Sequence, residues 1–341
     1  MGVSIKDVAK KSGLSTSTVS RVLNNQYGVS QKTKHLVLKA VEELGYVPNL
    51  QARELVNKKS NLVGLIIPET DFEARPAFFE ILPYLNQTIS LYQKEIIISA
   101  VTPIPRRYQD NQLETFLKKR NLEGCIILPG FISDHPIYKE ARNTHYPIVV
   151  VGENSYSNTC SSIKVNDEKG AQIATNFFIE NGHREIGFVN GPSHASICIE
   201  RLTGYKKALS DANIPWNQER IIESDFTGEG GARSAEKLLD SFPSLTAIFF
   251  ANDIMAIGAI SALSKRGVNI PETISIIGYD GIFLTKYTNP PLTTIELESS
   301  LMGTKIGELL IRMTNGGVGK RKYLTPKLTI RSTVKNISGF K

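Results

Sequence analysis

The stretch Ser4–Asn25, SIKDVAKKSGLSTSTVSRVLNN, decides how the N-terminus is read. Ser4 is placed to cap a helix in which Ile5, Val8 and Ala9 recur at helical spacing. Gly13 suits the left-handed exit of that helix. Ser15 is a second cap, and Thr16–Leu23 form a helix with Val19, Val22 and Leu23 on its inner face; Asn24, Asn25 and Gly28 break it. Ser30 caps a third helix, Gln31–Leu44, with Val37, Leu38, Val41 and Leu44 inward and Gly45 at its end. A helix, a short glycine turn, a second helix and a bracing third make a helix-turn-helix. The outer face of the second helix carries Thr16, Ser17, Ser20 and Arg21. In such a motif the start of the second helix enters the DNA major groove. There short hydroxyls let the backbone come close and bond base edges or phosphates, and an Arg meets guanine O6 and N7 together. The blander reading of the same face is a solvated, hydroxyl-rich surface.

Charge separates the two. Of the net +7, residues 1–60 supply +6, with ten Lys and Arg against four acids, whereas the rest of the 341-residue chain carries 30 against 29. A compact basic segment with its own apolar periodicity points to a polyanionic partner. The next stretch, YVPNLQARELVNKKSN (Tyr46–Asn61), has Pro48 as a stop, Asn49 as a cap, and Ala52 and Leu55 three apart on one face. Two turns of helix are too short to stand alone in water. On its own physics the segment reads as an interdomain linker; docked, Leu55 would serve as a minor-groove wedge.

From Asn61 onward, near-continuous apolar runs alternate with amphipathic helices. Strands are expected at Val63–Ile67, Ile96–Ala100, Gly124–Leu128, Ile148–Val151, Ile186–Val189, Ala247–Phe250 and Ile274–Gly278. Helices are expected at Glu168–Asn181, Arg201–Ala212, Ala232–Ser241 and Ile254–Arg266. That alternation is doubly wound α/β. Polar residues gather after the strands: Glu69, Thr70 and Asp71; Gly152 and Glu153; Asn252 and Asp253; Tyr279 and Asp280; and Arg201, expected to open a helix. Ligands of open α/β sheets sit at the carboxyl ends of strands, so these positions outline a cleft suited to a polyhydroxylated ligand. Singly, each reads as a turn residue or helix cap, and for Asp253 that reading is preferred.

Several function classes are excluded or disfavoured. There is no GxSxG, GxxxxGK[ST], HExxH or dinucleotide GxGxxG, and no nucleophile–base pair among the five histidines, so no catalytic residue and no enzyme is expected. Thr227–Ser234, TGEGGARS, carries Glu229 where an anion would sit and reads as the start of a helix; His183 reads as a packed turn residue. Cys125, Cys160 and Cys198 are widely spaced, so neither a disulfide framework, a metal site nor a cofactor is expected. No apolar run reaches the roughly 18 residues of a membrane span, and Lys6, Asp7, Lys10 and Lys11 interrupt any signal-peptide pattern. A cytoplasmic protein without membrane contact is the expectation.

Taken in order, IKDVAKKSGLSTSTVSRVLNN, VSQKTKHLVLKAVEELGYVPN, ARELVNKKSNLVGLIIP, NDEKGAQIATNFFIENGHREIGFVNGP, ERLTGYKKAL, AIFFANDIMAIGAI, IPETISIIGYDG, PPLTTIELESSLMGTKIGELLI and KLTIRST closely resemble the lactose-repressor/galactose-repressor (LacI/GalR) family. The resemblance covers essentially the whole chain. It implies an N-terminal all-α helix-turn-helix domain over residues 1–48, a hinge helix and linker over 49–60, and an effector-binding and dimerisation domain over 61–341. That last part would hold two doubly wound parallel-sheet subdomains like those of periplasmic binding proteins, one about 61–161 and 297–320, the other about 162–296 and 321–341. Thr16, Ser17 and Arg21 align with groove-reading positions, and Ser4, Ser15, Thr18, Ser20 and Asn24 complete the expected DNA-contacting set. Asn49 to Val56 align with a hinge helix that folds on the operator, with Ala52 and Leu55 at the minor groove, which reverses the plain-linker reading. Arg201, Phe226, Asn252 and Asp280 align with effector-binding positions, beside Glu69, Asp71 and Glu153 from the strand-end reading.

Two departures stand out. Glu54 puts an acid in the hinge, and Gly152-Glu153 stands where many relatives have an Asp-Arg pair. The chain stops ten residues after Arg331, leaving no leucine-heptad tail, so a homodimer on a palindromic operator is expected. The whole implies a repressor of a carbohydrate-utilisation operon with a small effector, most simply a neutral sugar. A non-sugar effector (purine, sugar phosphate or phosphoprotein) is the alternative, and a sugar-binding protein or sugar-processing enzyme the rival from another class. Arg21→Ala is expected to weaken binding to one operator far more than binding to random DNA, measured by fluorescence anisotropy; equal losses would reduce Arg21 to a phosphate contact.

Overall fold

The computed structural model describes residues 3–23, 28–46, 60–69, 76–109 and 111–339. The chain forms two compact units, residues 1–60 and 61–341. The expected hinge residues Asn49, Ala52 and Leu55, together with Asn24 and Asp71, lie outside the described residues.

In the first unit, α1 (Ile5–Ser12), α2 (Thr16–Leu23) and α3 (Gln31–Leu44) enclose a small core of Val8, Val19, Val22, Val37 and Ala40. Each helix is fixed by its cap. The Ser4 hydroxyl and N–H both donate to the Asp7 carboxylate, at 2.7 and 2.9 Å, the Thr18 N–H donates to the Ser15 hydroxyl at 3.1 Å, and Gly13 closes α1 with φ 67°. Leu38, expected inward, is 48% exposed. The buried stripe of α3 runs Val37, Ala40, Val41, Leu44 at helical spacing, and Leu38 falls beside it.

The second unit contains two six-stranded sheets. In the first lobe the chain runs through β1 (Leu62–Pro68), α4 (Pro76–Ser90), β2 (Glu95–Val101), α5 (Gln112–Lys119), β3 (Cys125–Ile127), α6 (Pro136–Asn143), β4 (Ile148–Val151) and β5 (Cys160–Val165). The second lobe holds α7 (Asp167–Glu180), β6 (Ile186–Asn190), α8 (Ser196–Asp211), β7 (Ile221–Glu223), α9 (Gly228–Ser241), β8 (Ala247–Phe250), α10 (Asp253–Lys265), β9 (Ser275–Asp280) and β10 (Thr293–Glu296). The chain then returns to the first lobe with α11 (Ser299–Thr314) and β11 (Arg321–Leu324), and ends on β12 (Lys327–Thr329) in the second. The sheet orders are β11-β5-β4-β3-β1-β2 and β12-β10-β9-β8-β6-β7. Every pairing is parallel except β10 with β12. The doubly wound fold expected from the alternation is therefore present in both lobes.

The crossing expected near 296 lies between β10 and α11, whereas the other two fall later than expected. Cys160–Val165 pairs with β4, from Ile148↔Cys160 to Val151↔Ile163, and Arg321–Leu324 pairs with β5, so both stretches belong to the first sheet. Ser161, Ser162 and Lys164 make β5 look polar, yet all six of its residues are buried, so an apolar-run criterion passes over it. The polar edge strand β11 is missed for the same reason.

The core of the second lobe is built on stacked rings. Phe188 lies between Tyr205 and Phe249, with centroids 5.1 and 4.9 Å away. In the first lobe Met302, Ile306 and Leu310 of α11 pack with Val63, Leu85 and Val149. His183 packs at the α7–β6 junction as expected, hydrogen-bonded to the Thr246 hydroxyl at 2.9 Å and the Lys335 carbonyl at 3.0 Å. The three cysteines are buried and free, and burial pushes the Cys160 thiol up to about 11, far from a reactive thiolate. Among the described residues, no helix is long and apolar enough to cross a membrane.

Helices α7 and α8 touch backbone to backbone at Gly204, where a Cβ would lie 2.1 Å from the Glu168 carbonyl oxygen and 2.9 Å from the Ala171 methyl. Gly204→Ala is expected to cost about 1–3 kcal/mol through overpacking; an unchanged midpoint in thermal unfolding would refute this close approach.

Candidate functional site

In the N-terminal unit, eight-residue α2 is too short to persist alone and is held by Val19 and Val22 in the core. That anchoring turns Thr16, Ser17 and Arg21 to the surface as an exposed group. Ser15 hydrogen-bonds the Thr18 hydroxyl at 2.8 Å and lies 3.4 Å from that of Ser17, so the hydroxyls at the helix start are ordered by one another. Lys11 ties α1 to α3 through Glu43 at 3.0 Å. The expected groove-reading residues thus share one exposed helix face on a braced scaffold.

In the second unit a cavity lies between the lobes, walled by the carboxyl ends of strands from both sheets. Arg201, Phe226, Asn252, Asp280 and Glu153 all line it. Glu69 is exposed at the end of β1 and is not among the described residues lining the cavity. The cavity is also more apolar than the strand-end residues suggested, with Phe78, Ile81, Phe131, Ile163 and Met302 on the first-lobe side. Asp167, Ser196 and His194 are lining residues that the sequence reading missed. The signal for Asp167 was an Asn-Asp pair between strand and helix, the same pattern that singled out Asn252 and Asp253.

Arg201 organises the floor. It does not open its helix but lies on the second turn of α8, 4% exposed. Its Nε and one terminal nitrogen donate to Asp167 Oδ1, each at 2.8 Å. Asp280 stands 3.7 Å away, the Ala251 carbonyl accepts from the other terminal nitrogen, and the Tyr279 ring lies 3.6 Å below the guanidinium. Burial opposes the charge, but Asp167, Tyr279 and Asp280 outweigh it and raise the Arg201 pKa further.

Two lining residues have strained backbones. Phe226 has φ 67° and Asp280 φ 112°, conformations that side-chain-bearing residues avoid. The Phe226 ring covers Gly191, where a Cβ would sit 2.1 Å from Cζ. Its carbonyl accepts from Asn252 Nδ2 at 3.0 Å, while Asn252 Oδ1 caps α10 through the Met255 N–H at 2.9 Å. Asn252 therefore sets the cavity wall as well as facing it. The strain at Asp280 is held by Asp253 behind it; Asn252, not Asp253, caps the helix, so the cap reading of Asp253 gives way to a brace on the turn after β9. Asp253 accepts from the Gly281 and Ile282 N–H groups at 2.7 and 2.9 Å and from the Thr294 hydroxyl at 2.5 Å. Complete burial and neighbouring Asp280 push the Asp253 carboxyl above the usual range, against the pull of those three donors.

The lobes also touch across the cleft. Ser196 donates to Glu153 at 2.6 Å, the Phe283 N–H donates to Glu80 at 2.8 Å, and Lys164 pairs with Glu200.

With this geometry in hand, comparison with known proteins is direct. The family profile described as bacterial regulatory proteins, lacI family, matches residues 4–49, and a periplasmic binding protein-like domain profile matches 175–334. The HTH-type transcriptional repressor PurR of Aliivibrio salmonicida is 34% identical over 332 residues, covering 97% of this chain and 98% of its own. The chain belongs to the LacI family of bacterial transcriptional repressors. PurR of Photobacterium profundum is 32% identical over 336 residues, covering 98% of this chain and 99% of its own. Among solved structures, the Lac repressor dimer bound to operator and the anti-inducer ONPF aligns with TM-score 0.83 and 28% identity over 98% of this chain and all of that one. A CelR–cellobiose complex aligns with TM-score 0.72 and 27% identity, over 97% and 99% of the two chains. This LacI-family member is thus a non-enzymatic, DNA-binding regulator.

Asp253→Ala would remove the acceptor shared by the Gly281 and Ile282 N–H groups and the Thr294 hydroxyl and is expected to destabilise the protein by about 2–4 kcal/mol. Urea unfolding checks this, and a wild-type midpoint would show that the Asp280 turn holds itself.

Proposed function

We propose that this LacI-family repressor binds a palindromic operator as a homodimer and that a small polyhydroxylated ligand in the interlobe cavity sets its operator affinity. The observation that carries this reading is that each lobe contributes a wall to one cavity, the second with a charged floor and the first with an apolar face. A ligand filling the space must touch both lobes and so favours one degree of closure over another. Arg201, Asp280 and Asn252 offer donors and acceptors for ring hydroxyls, and Phe226 offers a flat face. Asn49, Ala52 and Leu55 are proposed to carry the hinge contact to DNA, as the family resemblance implies. The Lac repressor structure named a dimer on operator supports the dimeric assembly. The CelR–cellobiose complex, a neighbour in fold, supports a carbohydrate as the class of ligand.

A second reading follows from the relatives named PurR, at 32–34% identity over nearly the whole chain. A purine would use the same Phe226 face and the Arg201–Asp280 pair. Thermal unfolding against sugars, sugar phosphates, sugar acids and purines separates the readings, because a ligand of the native state raises the midpoint with concentration. A sugar that stabilises supports the first, and a purine alone supports the second. With the stabilising ligand at saturation, operator affinity measured by anisotropy is expected to change by roughly 5- to 150-fold. An unchanged affinity would sink the coupling.

A further inference from the structure

Charge in the cavity is unbalanced. Its carboxylates are Glu153, Asp167 and Asp280, with Glu200 beside them on α8. Among the described residues, the cations are Arg201 in the lining and Lys164 beside it. Arg201 is already engaged by Asp167, Asp280 and the Ala251 carbonyl, and Lys164 by Glu200. Glu153 is left with hydroxyls only: its Oε1 accepts from Ser196 at 2.6 Å and lies 3.4 Å from Ser133 Oγ. Among the described residues, no cation lies within ion-pair distance of Glu153 and its Oε2 has no hydrogen-bond partner.

We infer that the ligand of this cleft carries a protonated amine and that Glu153 is the residue that selects for it. The inference rests on the cleft being the effector site. Apolar walls beside Glu153, from Phe131, Ile132 and Val151, limit solvent screening and strengthen its field on a charge brought next to it. An ammonium group would neutralise a carboxylate that no described residue pairs, whereas a phosphate or acid group would meet four carboxylates around two committed cations. A neutral hydroxyl would gain a hydrogen bond but no charge pairing, which makes the amine the preferred occupant by about tenfold or more.

The test uses the full chain and matched probes: glucosamine, glucose and N-acetylglucosamine, and the galactose set, at a pH where the free amines are charged. Adenine and hypoxanthine serve as uncharged purines. Binding is read by calorimetry and thermal shift for wild type, Glu153→Gln and Ser196→Ala. Glu153→Gln keeps an oxygen for Ser196 but removes the charge, and Ser196→Ala removes the cross-cleft bond but keeps the charge. The expected result is that an amino sugar binds at least tenfold tighter than its neutral and N-acetyl forms, that Glu153→Gln erases the difference, and that Ser196→Ala preserves it. Equal or tighter binding of a neutral sugar, an N-acetyl sugar or a purine overturns the inference and leaves the cleft reading standing. So does an amine preference that survives in Glu153→Gln. A panel in which no compound binds overturns both.

Discussion

A guanidinium sealed from water must be neutralised where it sits, and Arg201 is neutralised by groups from three different places in the chain. Asp167 comes from the start of α7, Asp280 from the end of β9 and the Ala251 carbonyl from just beyond β8. Breaking any one contact would leave a buried charge partly exposed to an apolar surrounding, so these strand ends hold one another in register. The cavity floor inherits its shape from that requirement. The strained Asp280 backbone and the Asp253 brace behind it follow from the same need to bring a carboxylate up to the arginine.

Much of this was legible in the residues because the fold uses simple periodicities. The parallel strands buried on both faces announce themselves as apolar runs, and the three N-terminal helices announce themselves through Ser4, Ser15 and Ser30 with their inner stripes. Among the strands that escaped notice, β5 is polar yet buried and β11 is a polar, half-exposed edge strand. In β5, Ser161 is buried but meets Met313 and the Lys320 N–H, and buried Lys164 reaches across to Glu200. Such partners are distant in sequence, so no local pattern reveals them.

The site was half legible for a related reason. Residues at strand ends could be collected, but which of them face inward depends on helices that cross from the other lobe. Glu69 satisfied the strand-end rule and points to solvent. Asp167 was not among the residues singled out at strand ends, and it is the main partner of Arg201. The apolar wall of Phe78, Ile81 and Met302 comes from α4 and α11, separated by more than two hundred residues and joined only by packing. Phe226 was placed by family likeness alone, and its positive φ explains why no propensity argument would have found it.

The covalent path between the lobes has a consequence of its own. The polypeptide passes from one sheet to the other after β5, returns after β10 and passes again after β11. No single cut in the gene can therefore release either lobe as an intact piece. Each is assembled from separated segments, so neither can finish folding until almost the whole chain has left the ribosome. Recombination that exchanges one lobe for another must replace interleaved fragments together. The lining of the cleft in such a chain changes more readily by substitution than by trading lobes.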